Sequence, residues 1–269
     1  MTPAEFVKKW PDADDRIRAH ADVLMTTRVV AICANPSRPR VVGSGFFVSQ
    51  GSSLYLISAA HVFAEQSLGG IENVLFFYTS ASTAIQVAGQ VRWARADHID
   101  IGVIRLAEAS PEWSGANTRQ PIRLSDFGDL STAGGADWFL LGGFPESKSR
   151  VDSTTGLLTG KPYGFLRQSA GNDAYVAHGL GSSTHVLLEF DQRKTVTFVG
   201  AQAARFPDPR GISGAPLWHV GFQEDGQLTS SVVAIAIEHR SKSRHKVIVC
   251  ARVEPVVEMI AYLESQHAP

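Results

Sequence analysis

The sequence predicts an all-β protein built from two antiparallel β units, with short helices at the N-terminus and one helix at the C-terminus. Three observations predict it. Short runs of β-branched and aromatic residues recur from about residue 28 to about residue 253. Gly, Pro and Ser turns separate them, which favours a sandwich or barrel over alternating βα units. A polar stretch, "AEASPEWSGANTRQP" (107–121), divides the runs into two groups.

Taken in order, Thr2-Pro3-Ala4-Glu5 has the spacing of a capping box with proline at the first helical position, so a helix starts there. Pro11 stops it, and Asp12 caps a second helix over roughly 13–24. Strands follow at 28–33, 43–49, 54–59, 74–79, 83–93 and 101–106. Beyond the polar stretch, strands are predicted at 137–145, 184–190, 195–202, 230–238 and 245–253, with long loops and short strands between Glu146 and Ser183. The tail "EPVVEMIAYLES" places Val256, Ile260 and Leu263 on one helical face with proline near its start. The chain thus divides into a helical extension (1–25), a first β unit (26–118) and a second β unit with the closing helix (119–269).

Composition narrows the function classes. A length of 269 residues buries a sizeable core, and a formal net charge of −1 gives no reason to expect nucleic acid or an anionic membrane surface. No apolar run reaches the roughly 18–20 residues of a membrane span. The N-terminus lacks the apolar core of a signal peptide, and Cys33 and Cys250 both sit in apolar runs, so buried free thiols and a cytoplasmic location are expected.

The chemistry centres on "RGISGAPLW" (210–218), where Ser213 stands between Gly211 and Gly214. Such a serine is either a surface-turn residue or a nucleophile on a tight turn with N–H groups converging beside it. A serine hydroxyl needs a base, and the base needs an orienting group. His61 ends the apolar strand of "LISAAHVF" and suits the base; Asp100 abuts the strand "IGVIRL" and suits the orienting acid, with Asp97 as its competitor. Each has an ordinary structural reading when taken alone. Their joint occurrence, with backbone N–H groups of Gly211 and Ser213 available as an oxyanion hole, points to nucleophilic catalysis.

These residues resemble those of the trypsin/chymotrypsin-like serine proteases, especially bacterial trypsin-like peptidase domains, over roughly 26–265. "GSGFFVSQGSSLYLISAAHV" is similar to the strand pair leading to the catalytic histidine, "HIDIGVIRL" to the aspartate segment, and "QPIRLSD" to the inter-barrel crossover. "FLLGGFP" resembles the first strand of the second barrel, "RGISGAPLW" the nucleophile loop, and "VIVCARVEPVVEMIAYL" the last strand and closing helix. The resemblance implies two six-stranded antiparallel barrels and a triad of His61, Asp100 and Ser213. It implies a peptide or protein substrate, and an endopeptidase mechanism with no metal or organic cofactor. It also implies substrate contacts from Asp208, Arg210, Ile237, Glu238 and His239, where an acidic Asp208 or Glu238 would favour Lys or Arg and His239 would narrow the pocket. Ile212 stands where many secreted members carry the Asp that pairs with a newly cut N-terminus, so that switch is not expected and control by a partner protein or signal is.

Other readings fit less well. An α/β-hydrolase elbow needs a fifth-position glycine and a following helix, but Ala215 and Pro216 stand there. No H-E-x-x-H motif or thiolate zinc set occurs, and "GLGSST" (179–184) reads as a turn rather than a phosphate loop. A catalytically silent, protease-like double barrel acting as a binding or regulatory module is the main alternative.

Overall fold

The computed structural model describes residues 13–34, 39–64, 75–77, 85–86, 92–96, 99–106, 120–130, 138–193, 195–197, 204–223, 227–242 and 244–266. Helix α1 (Ala13–Arg28) leads into β1 (Val29–Ala34), β2 (Arg40–Gln50) and β3 (Ser53–Ala59), then the single turn α2 (Ala60–Phe63). The first half continues through β4 (Leu75–Phe77), β5 (Ile85–Gln86), β6 (Arg92–Ala96), β7 (Ile101–Leu106) and β8 (Ile122–Arg123). The second half holds β9 (Trp138–Gly143), β10 (Arg150–Val151), β11 (Leu158–Thr159), β12 (Tyr163–Arg167), helix α3 (Asn172–His178) and β13 (His185–Glu189). It ends with β14 (Val196–Thr197), β15 (Ala204–Arg205), β16 (Pro216–Phe222), β17 (Leu228–Lys242), β18 (His245–Arg252) and helix α4 (Glu254–Ser265).

The protein is mostly β, and its sheets are antiparallel apart from one short pairing. The first large sheet runs β5-β4-β1-β2-β3-β7-β6, and the second β12-β9-β16-β17-β18-β13. Among the described residues the second sheet has six strands and the first eight, seven in that order plus β8, which adds in parallel to β2. Neither sheet closes on itself through strand pairing among the described residues. The nearest approach is a bridge between Ser169, just past β12, and Leu188 of β13, with the Ala170 N–H on the Leu187 carbonyl at 2.7 Å.

The crossover ties the halves together. Val48 and Ser49 pair with Ile122 and Arg123, and four residues later Phe127 bridges to Val232 of β17. The terminal helices also reach across. On α1, buried Met25 lies against the backbone of Gly142 and Gly164, while His20 Nε2 is 3.0 Å from Ser230 Oγ of β17. Val256, Ile260 and Leu263 of α4 are buried, and this helix packs on β6 and β7 of the first sheet. Tyr55 of β3 donates its hydroxyl to Glu264, which also pairs with Arg105 at 3.5 Å. One apolar core spans both halves, and a second lies within the second sheet around Phe165, Phe190 and Phe206.

The predicted α4 matches to the residue, and α1 extends four residues past its predicted end. The expected helix over the first ten residues lies outside the described residues. So does most of the expected strand at 195–202, of which Val196–Thr197 forms a two-stranded ribbon with β15. Four elements escape the sequence reading: α3, β8, β15 and β16. Pro216 opens β16, a position where the missing ladder donor is tolerated. Both cysteines are buried and unpaired, and burial pushes both thiols up.

Burial also lowers the pKa of His20, His185 and His239, with the positive charge of Arg240 adding to the effect at His185. Their unfolded-state imidazoles take up a proton near pH 6.5, whereas the folded ones do so only at lower pH. Between those values the unfolded chain binds the extra protons, so stability falls as pH drops below about 6.5. Thermal unfolding at pH 7.5, 6.5 and 5.5 is expected to show this decline, and His185→Gln should make it shallower. A decline unchanged in that variant would remove His185 from the cause.

Candidate active site

His61 sits on the single turn α2, which is anchored from both flanks. Buried Val62 presses on Gly43 and buried Phe63 on Gly102, where a Cβ would come within 2.6 Å of either side chain. This leaves the imidazole pointing outward, its side chain 51% exposed. Asp100 reaches it from the turn before β7. Its Oδ2 is 2.5 Å from His61 Nδ1, and its Oδ1 accepts the His61 backbone N–H at 2.9 Å. The Asp100 carbonyl also accepts the Ala60 N–H at 2.9 Å. Asp100 achieves this with φ of 56°, the only positive value at a non-glycine among the described residues, in a region Asp tolerates. A carboxylate only accepts, so it is Nδ1 that carries a proton toward Asp100. Asp97 lies outside the described residues.

Ser213 lies on a turn whose backbone is pinned on all sides. Gly211 and Gly214 take φ of 91° and 89°. The Arg210 carbonyl accepts from Glu146 N–H (2.8 Å), the Gly211 carbonyl from Ser44 Oγ (2.8 Å), the Ile212 carbonyl from Ala215 N–H (2.9 Å) and the Ser213 carbonyl from Ser44 N–H (2.7 Å). A trans peptide places N–H opposite C=O, so each fixed carbonyl fixes the N–H across its bond. The N–H groups of Ile212 and Gly214 are used within the fold, on Pro209 and Ala236. Those of Gly211 and Ser213 have no partner among the described residues. The result is two free donors beside one hydroxyl.

At Gly214 a Cβ would overlap the Ser44 carbonyl and the Ser58 hydroxyl, while at Gly156, also at positive φ, nothing stands within 4 Å. Gly214→Ala is therefore expected to lower stability well beyond the ~1–2 kcal/mol of the backbone conformation alone. Gly156→Ala should cost only that smaller amount. Denaturant unfolding of both variants measures the difference, and equal losses would contradict the close fit at Gly214.

A cleft of about 470 Å³ is lined by His61, Asp100, Asp208, Pro209, Arg210, Ser213, Ile237, Glu238 and His239. Of the residues singled out from the sequence, the three triad candidates and the five expected substrate contacts all line this one cleft. Ile237 is the bulged residue of β17: Ala236 pairs with Cys250 and Glu238 with Val249, leaving Ile237 out of that register. Its carbonyl accepts the Ser213 hydroxyl at 3.2 Å, so in this conformation the hydroxyl is not donated to His61.

The two acidic side chains expected to favour basic substrates are both engaged. Asp208 accepts from the Arg210 backbone N–H at 3.0 Å and pairs with its guanidinium at 3.2 Å, and these contacts hold its carboxyl below the usual range. Glu238 pairs with Arg240 at 2.5 Å. His239 stacks edge-on against Phe190, ring centroids 5.4 Å apart.

Sequence reasoning missed Ser44 and Ser58, both fully buried, which carry the contacts between the first sheet and the Ser213 turn. Their polarity inside otherwise apolar strands is the signal that could have found them. Among the described residues no helix is long and apolar enough to cross a membrane, and no group of three or more His, Cys, Asp or Glu side chains is placed to hold a metal ion. No protein-family model matches this sequence, and no curated protein is significantly similar to it.

Proposed function

We propose that this protein is a serine endopeptidase of the trypsin-like kind, cleaving peptide bonds through an acyl-enzyme on Ser213. The observation that carries the reading is the pair of unpartnered N–H groups of Gly211 and Ser213 beside a serine that shares its cleft with the His61–Asp100 pair. In the reaction His61 Nε2 takes the Ser213 proton as Oγ attacks the scissile carbonyl. The two N–H groups hold the oxyanion, and His61 passes the proton to the departing amine. Water then enters, gives its proton to His61, and attacks the ester carbon; the acid product leaves as the proton returns to Ser213 Oγ.

An extended peptide is supported by the edge of β17. β16 pairs with β17 only through Ile235, so from Ile237 to Arg240 the edge opposite β18 has no strand partner among the described residues. Such an edge takes an added strand by main-chain hydrogen bonding. The two sheets are read as two barrels, a closure for which the Ser169–Leu188 bridge gives support in the second.

A second reading has its own observation. The Ser213 hydroxyl rests on Ile237 rather than on His61, which suits a latent enzyme awaiting a partner, or a silent binding module. Incubation with a fluorophosphonate probe decides between them. Covalent labelling at Ser213 supports the enzyme, and a chain that stays unlabelled alone and with cell extract overturns it.

A further inference from the structure

We infer that Ser44 is a positioning residue that holds the oxyanion-binding turn in its working shape from the first sheet. The inference rests on the serine-enzyme reading of the cleft. Position 212 is an isoleucine buried in the second core, so its side chain offers the turn no hydrogen bond. Something else must hold the peptide links on either side of it.

Ser44 on β2 is fully buried and commits every hydrogen-bonding group it has. Its N–H donates to the Ser213 carbonyl at 2.7 Å, and its carbonyl accepts the Ser58 hydroxyl at 2.7 Å. Its own hydroxyl accepts the Phe144 N–H at 2.8 Å. A hydroxyl has a single proton, and that proton goes to the Gly211 carbonyl at 2.8 Å. Ser44 therefore grips the links 211–212 and 213–214, and the link between them carries the free N–H of Ser213. That middle link is held by the Ala215 N–H on the Ile212 carbonyl at 2.9 Å, so swinging the Ser213 N–H away breaks this bond, while Ser44 keeps the flanking links in place.

The arrangement also registers the two halves of the site. Ser58 lies on β3 three residues before His61, so the strand that delivers the base also supports the clamp on the nucleophile turn. Removing the Ser44 hydroxyl would leave the Phe144 N–H and the Gly211 carbonyl without this partner, in a buried place where unmade hydrogen bonds are costly.

The test uses the full chain with Ser44→Ala. Amide hydrogen exchange at Ile212, Gly214 and Ala215 should speed by at least about tenfold, the scale of one lost buried hydrogen bond. The rate of fluorophosphonate labelling should fall about 10- to 100-fold, the scale of a small misplacement of reacting groups. For any cleaved peptide the loss should appear in kcat, with KM little changed, which a general loosening would not produce. If Ser44→Ala does not fold, Ser58→Ala removes only the donor to the Ser44 carbonyl and should show the same pattern in smaller measure. Unchanged exchange in a folded variant overturns the clamp. Faster exchange with wild-type labelling overturns its role in positioning. A wild-type chain that never labels overturns the serine-enzyme reading instead, and the clamp then stands or falls on exchange alone.

Discussion

Ser213→Ala should lower peptide cleavage by about 10⁶-fold and abolish fluorophosphonate incorporation, the loss expected when a serine enzyme loses its nucleophile. The structure makes this a clean substitution. Among the described residues the hydroxyl makes one hydrogen bond, to the Ile237 carbonyl, so alanine removes a single donor. The turn itself is held through its backbone carbonyls, and alanine keeps them all. Stability should change by no more than about 0.5–1.5 kcal/mol, the usual net value of one such bond. The two free backbone N–H groups of the turn survive the substitution and would still bind an oxyanion, leaving a residual rate above that of water. Active-site titration with the probe, beside a thermal melt, checks both statements. A variant that melts like wild type and still incorporates the probe would place the nucleophile elsewhere.

Asp100→Asn should cost about 10⁴-fold in kcat while the protein remains folded. Asparagine tolerates the positive φ at this position as aspartate does, and it keeps an oxygen for the His61 N–H. What changes is the tautomer. If the amide NH₂ faces Nδ1, that nitrogen must become an acceptor, the proton moves to Nε2, and the imidazole can no longer take the proton from Ser213. Steady-state kinetics on Asp100→Asn and Asp97→Asn, run side by side, separate the two carboxylates. The large loss should belong to Asp100, because its carboxylate meets both the ring and the backbone of His61. Equal mild losses would contradict the assignment.

His61 and Asp100 were legible in the sequence because each abuts a strand whose residue pattern is plain, and Ser213 because Gly211 and Gly214 stand on either side of it. Strand "LYLISA" carries its apolar register into His61, and "IGVIRL" begins immediately after Asp100, so burial alone delivers both to one end of the first sheet. Helix α3 was less legible. It is seven residues long, buries only Ala174 and Tyr175, and stops at Gly179 in a left-handed conformation, so it offers too few turns to show a period. Strand β16 was hidden by Pro216 and by the Ser213 turn that runs directly into it.

Charge pairing was the least legible feature. Asp208 and Arg210 are two residues apart in an irregular segment, where no helical or strand spacing predicts contact. Glu238 and Arg240 share one face of β17 as an i, i+2 pair, but the bulge at Ile237 decides which way that face turns. The parallel addition of β8 to the first sheet could not be read from periodicity either. Two residues hold too little pattern, and their partner lies more than seventy positions away.

The helices at the two ends of the described chain bear on how the protein comes to be made. α1 is made before β9, β12 and β17, the strands it lies against, so they do not yet exist when it leaves the ribosome. The strands that position His61 and Asp100 must likewise wait for α4, the last element, to cover β6 and β7. Each half is therefore finished by a piece contributed from the other end of the sequence. A nascent chain carrying only the half that holds His61 and Asp100 would keep apolar strand faces exposed until α4 has been made.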